Sequence, residues 1–159
     1  MIEHAAMTDQ LTTIVIGSDH AGLGLKNVIK QTLLAQGLAV IDVGTEGPDS
    51  CDYPDFAHKA CAAVIGGDVR FGILVCGTGI GMSMVANRYA DIRCALLHDT
   101  TGARLTRAHN DANMIALGAR MTGEEVALDI VKVFLNTPYE GGRHARRVQK
   151  INPAEGAKS

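Results

Sequence analysis

One cysteine ends a short apolar run and enters a glycine-rich turn, within the sequence Gly-Ile-Leu-Val-Cys-Gly-Thr-Gly-Ile-Gly of residues 72–81. The apolar run predicts a buried strand that ends at Cys76. Glycines let backbone N–H groups converge on an anion, and a helix expected over residues 82–88 would add its positive N-terminus. Such surroundings favour a thiolate, which can act as nucleophile, general base or redox centre. The alternative is a buried cysteine at a tight turn, the usual situation of a free cysteine.

Short runs of β-branched residues alternate along the chain with segments of helical periodicity. These runs and segments predict the strands and helices that position Cys76. Strands are predicted over residues 13–17, 39–43, 72–76, 93–98 and 113–118. Apolar residues at helical spacing predict a helix after the first strand and another after the second. A further helix is predicted from Gly123 to Leu135, with Thr122 as its N-cap, and a short basic helix over residues 143–150. This order predicts an α/β fold with a five-stranded parallel sheet and right-handed crossovers.

In parallel sheets, ligands bind where loops leave the carboxyl ends of the strands. The polar residues of this chain fall at those points: the loop Gly17–Gly22, the turn after Cys76, His98-Asp99, and His109-Asn110-Asp111 in the loop expected before the last strand. His20 and His109 adjoin polar partners and small residues, so both are candidate site residues. The remaining histidines considered are interpreted as ordinary surface or core groups: His4, His58 and His144.

Length and composition favour one enzyme domain. The 159 residues suit a single domain, expected over 13–152, with a flexible N-terminal extension at 1–12 and a flexible tail at 153–159. Aromatic residues make up only 4% of the chain and the net charge is −2, which argues against nucleic acid as a partner. Four cysteines without a CxxC pair indicate a reducing cytoplasm, and no apolar stretch approaches the ~20 residues of a membrane span. We therefore expect a soluble cytoplasmic protein without a membrane partner.

Three other kinds of site are weighed against the thiol. A metal site would draw on Asp19, His20, His98 and His109, yet no pair has HxH or HxxxH spacing. A dinucleotide site needs a third glycine where Met82 stands, and a P-loop needs a lysine where Leu23 stands. Disulfide exchange would require a resolving cysteine near Cys76 in sequence.

Arg143 and Arg147 are the candidate phosphate ligands. Four residues apart on a helix, they share a face and can hold one dianion with forked donors. The alternative is a solvated basic tail, since Arg146 and Lys150 make the stretch basic all round. The pattern by itself leaves both interpretations open.

Taken together, these segments resemble the family of type B ribose-5-phosphate isomerases and galactose-6-phosphate isomerase subunits. The resemblance runs from Ile14 to about Ile151. Its markers, in order, are Gly-Ser-Asp-His-Ala-Gly at 17–22, Asp-Tyr-Pro at 52–54, Cys-Gly-Thr-Gly-Ile-Gly at 76–81, His-Asn-Asp at 109–111, Leu-Gly-Ala-Arg at 117–120 and Tyr-Glu-Gly-Gly-Arg-His at 139–144.

The resemblance implies a Rossmann-like three-layer sandwich, a homodimer or a dimer of dimers with shared active sites, and neither metal nor organic cofactor. It also implies roles for single residues. Cys76 matches the catalytic base, His109 the acid that opens the sugar ring, and Asp19 with His20 the substrate-binding pair. The remaining matches are substrate contacts at Gly77, Gly79, Ile80, Gly81 and Asn110, and phosphate contacts at Arg120, Arg143 and Arg147.

The implied reaction is the aldose–ketose interconversion of ribose 5-phosphate and ribulose 5-phosphate, a step of the pentose phosphate pathway, through a cis-enediolate. Thr78 would move protons between the two oxygens, or else cap the following helix. One branch of the family uses a glutamate instead of the cysteine, and residues 77–87 contain no acid, so the chain resembles the cysteine branch. The alternatives are an isomerase of allose 6-phosphate, galactose 6-phosphate or a tetrose phosphate, and a non-catalytic sugar-phosphate-binding protein.

Overall fold

Five parallel strands form one sheet in the order β2-β1-β3-β5-β4, as the sequence pattern predicted for their number and direction. The computed structural model describes residues 12–67 and 69–156, so most of the two ends predicted to be flexible lies outside the described residues. The strands are β1 (Thr13–Ser18), β2 (Ala39–Asp42), β3 (Phe71–Cys76), β4 (Cys94–Leu96) and β5 (Met114–Gly118).

The helices cover both faces of the sheet, because the buried strands are apolar on both sides. They are α1 (Leu23–Ala35), α2 (Tyr53–Ile65), α3 (Ile80–Ala86), α4 (Thr100–Asn110), α5 (Glu124–Asn136) and α6 (Arg143–Val148). Ile14 and Ile16 of β1 pack with apolar residues of α1, α4 and α5, whereas Val15 packs with those of α2 and α3. The result is a three-layer sandwich. Among the described residues, no helix is long and apolar enough to cross a membrane.

Three predictions about the helices were wrong. Helix α3 begins at Ile80, not Met82, because Gly79 takes a left-handed conformation that ends the turn there. The N-cap of α5 is Gly123, and the Thr122 hydroxyl has no hydrogen-bond partner within the described residues. His109 and Asn110 lie on the last turn of α4, not in a loop. Asp99 starts that helix by accepting a 2.7 Å hydrogen bond from the Gly102 N–H.

The strand order brings the polar segments together. β1 lies beside β3 with Ser18 opposite Val75, and β3 lies beside β5 with Cys76 opposite Gly118. The chain leaves β1 towards β2 on one side and crosses to β3 on the other, which makes the carboxyl ends of β1 and β3 a switch point where ligands bind. Cys76 stands at this point, between the segments that follow Ser18 and Gly118.

A buried lysine fixes the backbone next to the end of β1. Lys26 is 1% exposed, and its Nζ donates to Asp42 Oδ1 at 2.8 Å and to the Thr45 carbonyl oxygen. Ser18 N–H donates to Gly44 O at 2.8 Å, and Thr45 N–H donates to Ser18 O at 2.7 Å. The ion pair therefore holds the segment that supports Ser18. Burial by itself would raise the pKa of Asp42, but hydrogen bonds from Lys26, the Gly44 N–H and Lys30 lower the pKa below its usual value.

Asp42→Asn should destabilise the fold by about 3 kcal/mol near pH 7, because it leaves a buried lysine without its counter-ion. A carboxyl group whose pKa is lowered on folding stabilises the folded state at pH values above its unfolded pKa of 3.8. This stabilisation is lost as the pH falls through the pKa of the folded state. The difference between wild type and variant should therefore shrink below about pH 4. Urea unfolding of both proteins at pH 7 and at pH 3 measures this difference in the free energy of unfolding. Lys30→Met, which removes the half-buried partner of the other carboxylate oxygen, should cost less than about 1 kcal/mol.

Candidate active site

The Cys76 thiol lies almost fully buried at the end of β3, 5% exposed. The Gly79 N–H donates to its Sγ at 3.1 Å. Gly79 has φ of 77°, and a Cβ at this position would lie 2.7 Å from Leu96 Cδ1 and 2.9 Å from the Leu117 carbonyl carbon. Only glycine therefore allows the chain to fold back and bring this N–H onto the sulfur.

The turn after Cys76 also presents free hydrogen-bond donors. Within residues 12–67 and 69–156, the N–H groups of Gly77, Thr78 and Gly81 have no acceptor. The Thr78 hydroxyl accepts a hydrogen bond at 3.2 Å from the N–H of Ile80, the first residue of α3, and still has its own proton to donate. Fixed N–H dipoles next to a thiol suit an oxyanion that forms during a reaction.

The segment after β5 lies against this turn. Ala119 N–H donates to Cys76 O at 2.8 Å, and Arg120 N–H donates to Gly77 O at 2.9 Å. A Cβ on Gly77 would lie 3.3 Å from Arg120 Nη1, so the Arg120 guanidinium extends across Gly77. This places one exposed cation directly beside the thiol and the free N–H groups.

The first loop crosses the end of β3 just before the cysteine. Asp19 is 7% exposed; its N–H donates to Val75 O at 3.3 Å and its Oδ1 accepts from the Gly22 N–H at 3.0 Å. His20 Nδ1 accepts from the Cys51 N–H at 3.2 Å. An Nδ1 that accepts this hydrogen bond leaves Nε2 as the ring nitrogen that can donate. His20 Nε2 is therefore a hydrogen-bond donor for a ligand.

Tyr53 is a site residue for which the sequence suggested no role. A Cβ on Gly81 would lie 2.6 Å from Tyr53 Cζ and 3.0 Å from its hydroxyl oxygen, so the phenol lies against the first turn of α3. Its side chain is 39% exposed. The Asp-Tyr-Pro motif at 52–54 was the available signal, since it starts α2 beside this turn.

A second group of polar residues forms around His109. The imidazoles of His109 and His144 stack with centroids 4.2 Å apart and planes 13° from parallel. Glu140 Oε2 lies 3.4 Å from His144 Nε2 and 4.0 Å from His109 Nε2. His144 was interpreted from the sequence as an ordinary histidine, yet it is 7% exposed and in direct contact with His109.

His109, Glu140 and His144 have metal-ligand spacing, with ligand atoms within 4.8 Å of one another. The rings are nearly parallel, however, so their in-plane lone pairs run side by side instead of converging on one point. A bound metal ion would require one ring to turn. Asp19, His20 and His98, the other ligands considered from sequence, belong to no such group in the described part of the chain.

Exposed basic side chains adjoin this second group. Arg143 and Arg147 lie four residues apart on α6, both exposed, and neither guanidinium forms an ion pair or hydrogen bond with any described residue. The Asn110 side chain is likewise exposed and forms no hydrogen bond with a described residue; its backbone carbonyl accepts from Arg93 Nε at 3.2 Å. These groups are available for an anionic ligand.

The two groups of residues are distinct in this chain. The first group contains Asp19, His20, Cys76, the turn at 77–81 and Arg120; the second contains His109, Asn110, Glu140 and α6. No hydrogen bond or ion pair among residues 12–67 and 69–156 joins them.

Comparison with known proteins shows the family to which the chain belongs. A family model described as ribose/galactose isomerase matches residues 14–151. Ribose-5-phosphate isomerase B of Escherichia coli is 45% identical, covering 89% of this chain and 95% of that protein. D-erythrulose-4-phosphate isomerase of Pectobacterium atrosepticum is 43% identical, covering 89% and 93%.

Solved structures agree with the sequence relatives. A ribose 5-phosphate isomerase from Thermotoga maritima has a TM-score of 0.88 and 48% identity, covering 90% of this chain and 99% of that one. Ribose-5-phosphate isomerase B of Mycoplasma genitalium, solved with bound ribulose-5-phosphate, has a TM-score of 0.84 and 40% identity, covering 87% and 93%. With a family-model match over residues 14–151, a relative at 45% identity and a solved structure at a TM-score of 0.88, the chain belongs to the ribose/galactose isomerase family.

Proposed function

We propose that this chain interconverts ribose 5-phosphate and ribulose 5-phosphate through a cis-enediolate, with Cys76 as the base. The observation that carries the proposal is the buried Cys76 sulfur, which accepts the Gly79 N–H and stands beside three N–H groups without acceptors. Relatives named for this reaction, at 45% and 48% identity, support the substrate.

Chemistry at the thiol needs no further reactant. In the open-chain aldehyde the C2 proton is acidified by the neighbouring carbonyl, and the Cys76 thiolate removes it. The N–H groups of Gly77, Thr78 and Gly81 stabilise the charge that develops on oxygen. The thiol then returns its proton to C1. The Thr78 hydroxyl transfers a second proton from O2 to O1. The aldose becomes the ketose without net gain or loss of atoms.

Binding and ring opening use the second group. His109 donates a proton at the ring oxygen so that the closed sugar opens, and Asn110 contacts the sugar. Arg143 and Arg147 bind the phosphate, with Arg120 beside the Cys76 turn completing its contacts. The charge of a phosphate dianion suits these exposed guanidiniums, which have no anionic partner among the described residues.

Separation of the two groups supports a homodimer, or a dimer of dimers, in which each site combines residues of two copies. Exposed apolar side chains adjoin the cysteine group: Ile80 is 44% exposed, Met84 64% and Met121 60%. Ile80 and Met84 are one turn apart on α3, and Met121 follows Arg120. We infer that a second copy covers this apolar surface and brings its own His109 group to Cys76.

Mixing two defective variants tests shared sites. Cys76→Ala and Arg143→Ala are each expected to be nearly inactive at low substrate concentration. If each site takes Cys76 from one copy and Arg143 from the other, unfolding and refolding an equimolar mixture should restore up to about a quarter of wild-type activity, since half of the dimers are mixed and each has one intact site. A mixture of Cys76→Ala with Cys76→Ser should restore none. No recovery in the first mixture would place each site within one copy.

Isomerisation in heavy water tests the reaction itself. Purified protein without added cofactor should convert ribose 5-phosphate to ribulose 5-phosphate and incorporate solvent deuterium at the carbon that receives the proton. Deuterium in the product indicates an enediolate, whereas product free of deuterium would point to a hydride shift and contradict the role of Cys76.

A four-carbon sugar phosphate is the second candidate substrate, favoured by the 43% identical D-erythrulose-4-phosphate isomerase. The site residues contact phosphate and the C1–C2 end, so they leave the length of the sugar open. Values of kcat/KM for ribose 5-phosphate, erythrose 4-phosphate, allose 6-phosphate and galactose 6-phosphate rank the candidates. Tight binding without turnover of any of them would instead indicate a sugar-phosphate-binding protein.

A further inference from the structure

Arg107 is a buried cation that the proposed reaction does not use. It lies on α4 two residues before His109 and is 3% exposed. Its guanidinium carbon lies 5.0 Å from the centroid of Phe71 and 5.9 Å from that of Phe134. Burial of a charged group costs free energy unless hydrogen-bond acceptors match its donors. The acceptors of Arg107 therefore indicate its role.

Two of those acceptors fix the turn that follows His109. Arg107 Nη1 donates to Asp111 Oδ1 at 2.8 Å and to the Ala112 carbonyl at 2.6 Å. Asp111 ends α4 in a left-handed conformation, with φ of 48°. This conformation is uncommon for a residue with a side chain, and the arginine holds it in place. The end of α4, including His109 and Asn110, is thereby fixed.

The third acceptor lies on the connection between α5 and α6. Arg107 Nε donates to the Thr137 carbonyl at 3.4 Å. A second hydrogen bond joins the same two segments, from the Glu140 N–H to the Ala108 carbonyl at 3.0 Å. This connection continues through Gly141 and Gly142 into Arg143. One guanidinium therefore links the helix that carries His109 to the segment that leads to the exposed arginines.

We propose that Arg107 is a positioning residue that sets the distance between His109 and the Arg143–Arg147 pair, so that the acid meets the ring oxygen of a sugar already held by its phosphate. The proposal rests on the proposed function for the roles of those three residues. A planar guanidinium suits this role because its several N–H groups donate to acceptors in different directions at fixed angles. The ammonium group of a lysine lacks this fixed geometry.

A double-mutant cycle separates positioning from stability. Arg107→Met should remain folded by circular dichroism and lower kcat/KM for ribose 5-phosphate by about 10²-fold, the scale expected for a misplacement of about 1 Å. Arg107→Lys should recover only part of the loss. Arg104→Met, an exposed arginine on the same helix, should stay within about twofold of wild type, as surface substitutions do.

In an Arg143→Ala background, Arg107→Met should lower kcat/KM by only about threefold. Without Arg143 the phosphate is no longer anchored, so the distance from His109 to that anchor no longer matters. Equal losses in both backgrounds would mean that Arg107 merely stabilises the fold, and would overturn the proposal. If Arg107→Met does not fold, Asp111→Asn replaces it, since this change weakens one contact of Arg107 at a half-exposed residue. The same coupling with Arg143→Ala is expected, at smaller size.

A measurement without turnover keeps this proposal distinct from the proposed function. Inorganic phosphate added to wild-type protein should shift the imidazole NMR signals of His109 and His144. In Arg107→Met the His144 shift should persist, since His144 is next to Arg143 in the chain, while the His109 shift should fall away. An inactive wild type would contradict the proposed function. An unchanged His109 shift in the variant would contradict the positioning role, whether or not the enzyme turns over ribose 5-phosphate.

Discussion

Replacing Cys76 with alanine should abolish isomerisation and leave the fold intact. The change removes one sulfur atom and keeps Gly79 in its left-handed conformation, because the contacts that require glycine there come from Leu96 and the backbone after Leu117. Loss of a general base costs roughly 10²–10⁴-fold, and no carboxylate lies within residues 77–87 to replace it. Initial rates with ribose 5-phosphate, beside thermal unfolding of both proteins, measure the effect.

Selective alkylation gives the same result by a different route. Burial raises the pKa of Cys61 to about 11, and burial together with the nearby Cys61 also raises the pKa of Cys94. Both thiols should therefore resist iodoacetamide at pH 8, because the thiolate is the reacting form. Alkylation of Cys76 should inactivate the enzyme, and bound substrate should slow this alkylation.

Cys51→Ala is the matched control. Cys51 is half-buried, and the substitution keeps the backbone N–H that His20 accepts, so activity should be retained. A Cys76→Ala enzyme that kept most of its activity would remove Cys76 from the role of base.

Arg143→Ala and Arg147→Ala should each weaken substrate binding by about 10- to 150-fold, the equivalent of the roughly 1.5–3 kcal/mol of a charge-assisted hydrogen bond. Both side chains are exposed and have no anionic partner among the described residues, so the loss should come from the ligand and not from the fold. Binding of ribose 5-phosphate to each variant, measured by calorimetry, gives the dissociation constants directly.

Arg146→Ala provides the comparison, because Arg146 is exposed on the same short helix but is not spaced four residues from Arg143. It should bind ribose 5-phosphate nearly as well as wild type. Free ribose should be a very poor substrate for every form, and the two arginine variants should lose little of that residual rate. If Arg143→Ala and Arg147→Ala bound the sugar phosphate normally, α6 would be only a solvated basic helix.

Local pattern was enough for the sheet and for the cysteine turn. The strand that ends at Cys76 is continuously apolar because it is covered on both faces. Of the glycines after it, Gly79 faces Leu96 and the backbone after Leu117, whereas Gly77 and Gly81 lie close to the side chains of Arg120 and Tyr53. Strand β4 was predicted too long, over residues 93–98. It has only three residues, since the chain leaves the edge of the sheet at Leu97 and Asp99 begins a helix.

Helix α4 is the element that the sequence did not reveal. It contains three threonines and a glycine, which are weak helix formers, and most of its surface is polar. Its stability comes from the Asp99 cap and from a buried face formed by Ala103, Thr106, Arg107 and Ala108, which packs towards α5. Because that support is tertiary, His109 seemed to lie in a loop.

The sequence by itself determined the fold class, the motifs and the residues that could carry the chemistry, because glycine conformation and apolar periodicity are local properties. Tertiary structure decided which of those residues meet. It stacked His144 on His109, placed Tyr53 against Gly81, and gave the buried cations Lys26 and Arg107 acceptors 16 and 30 residues away. A buried charge looks like any surface charge in a sequence, since only its distant partners show that it has left water.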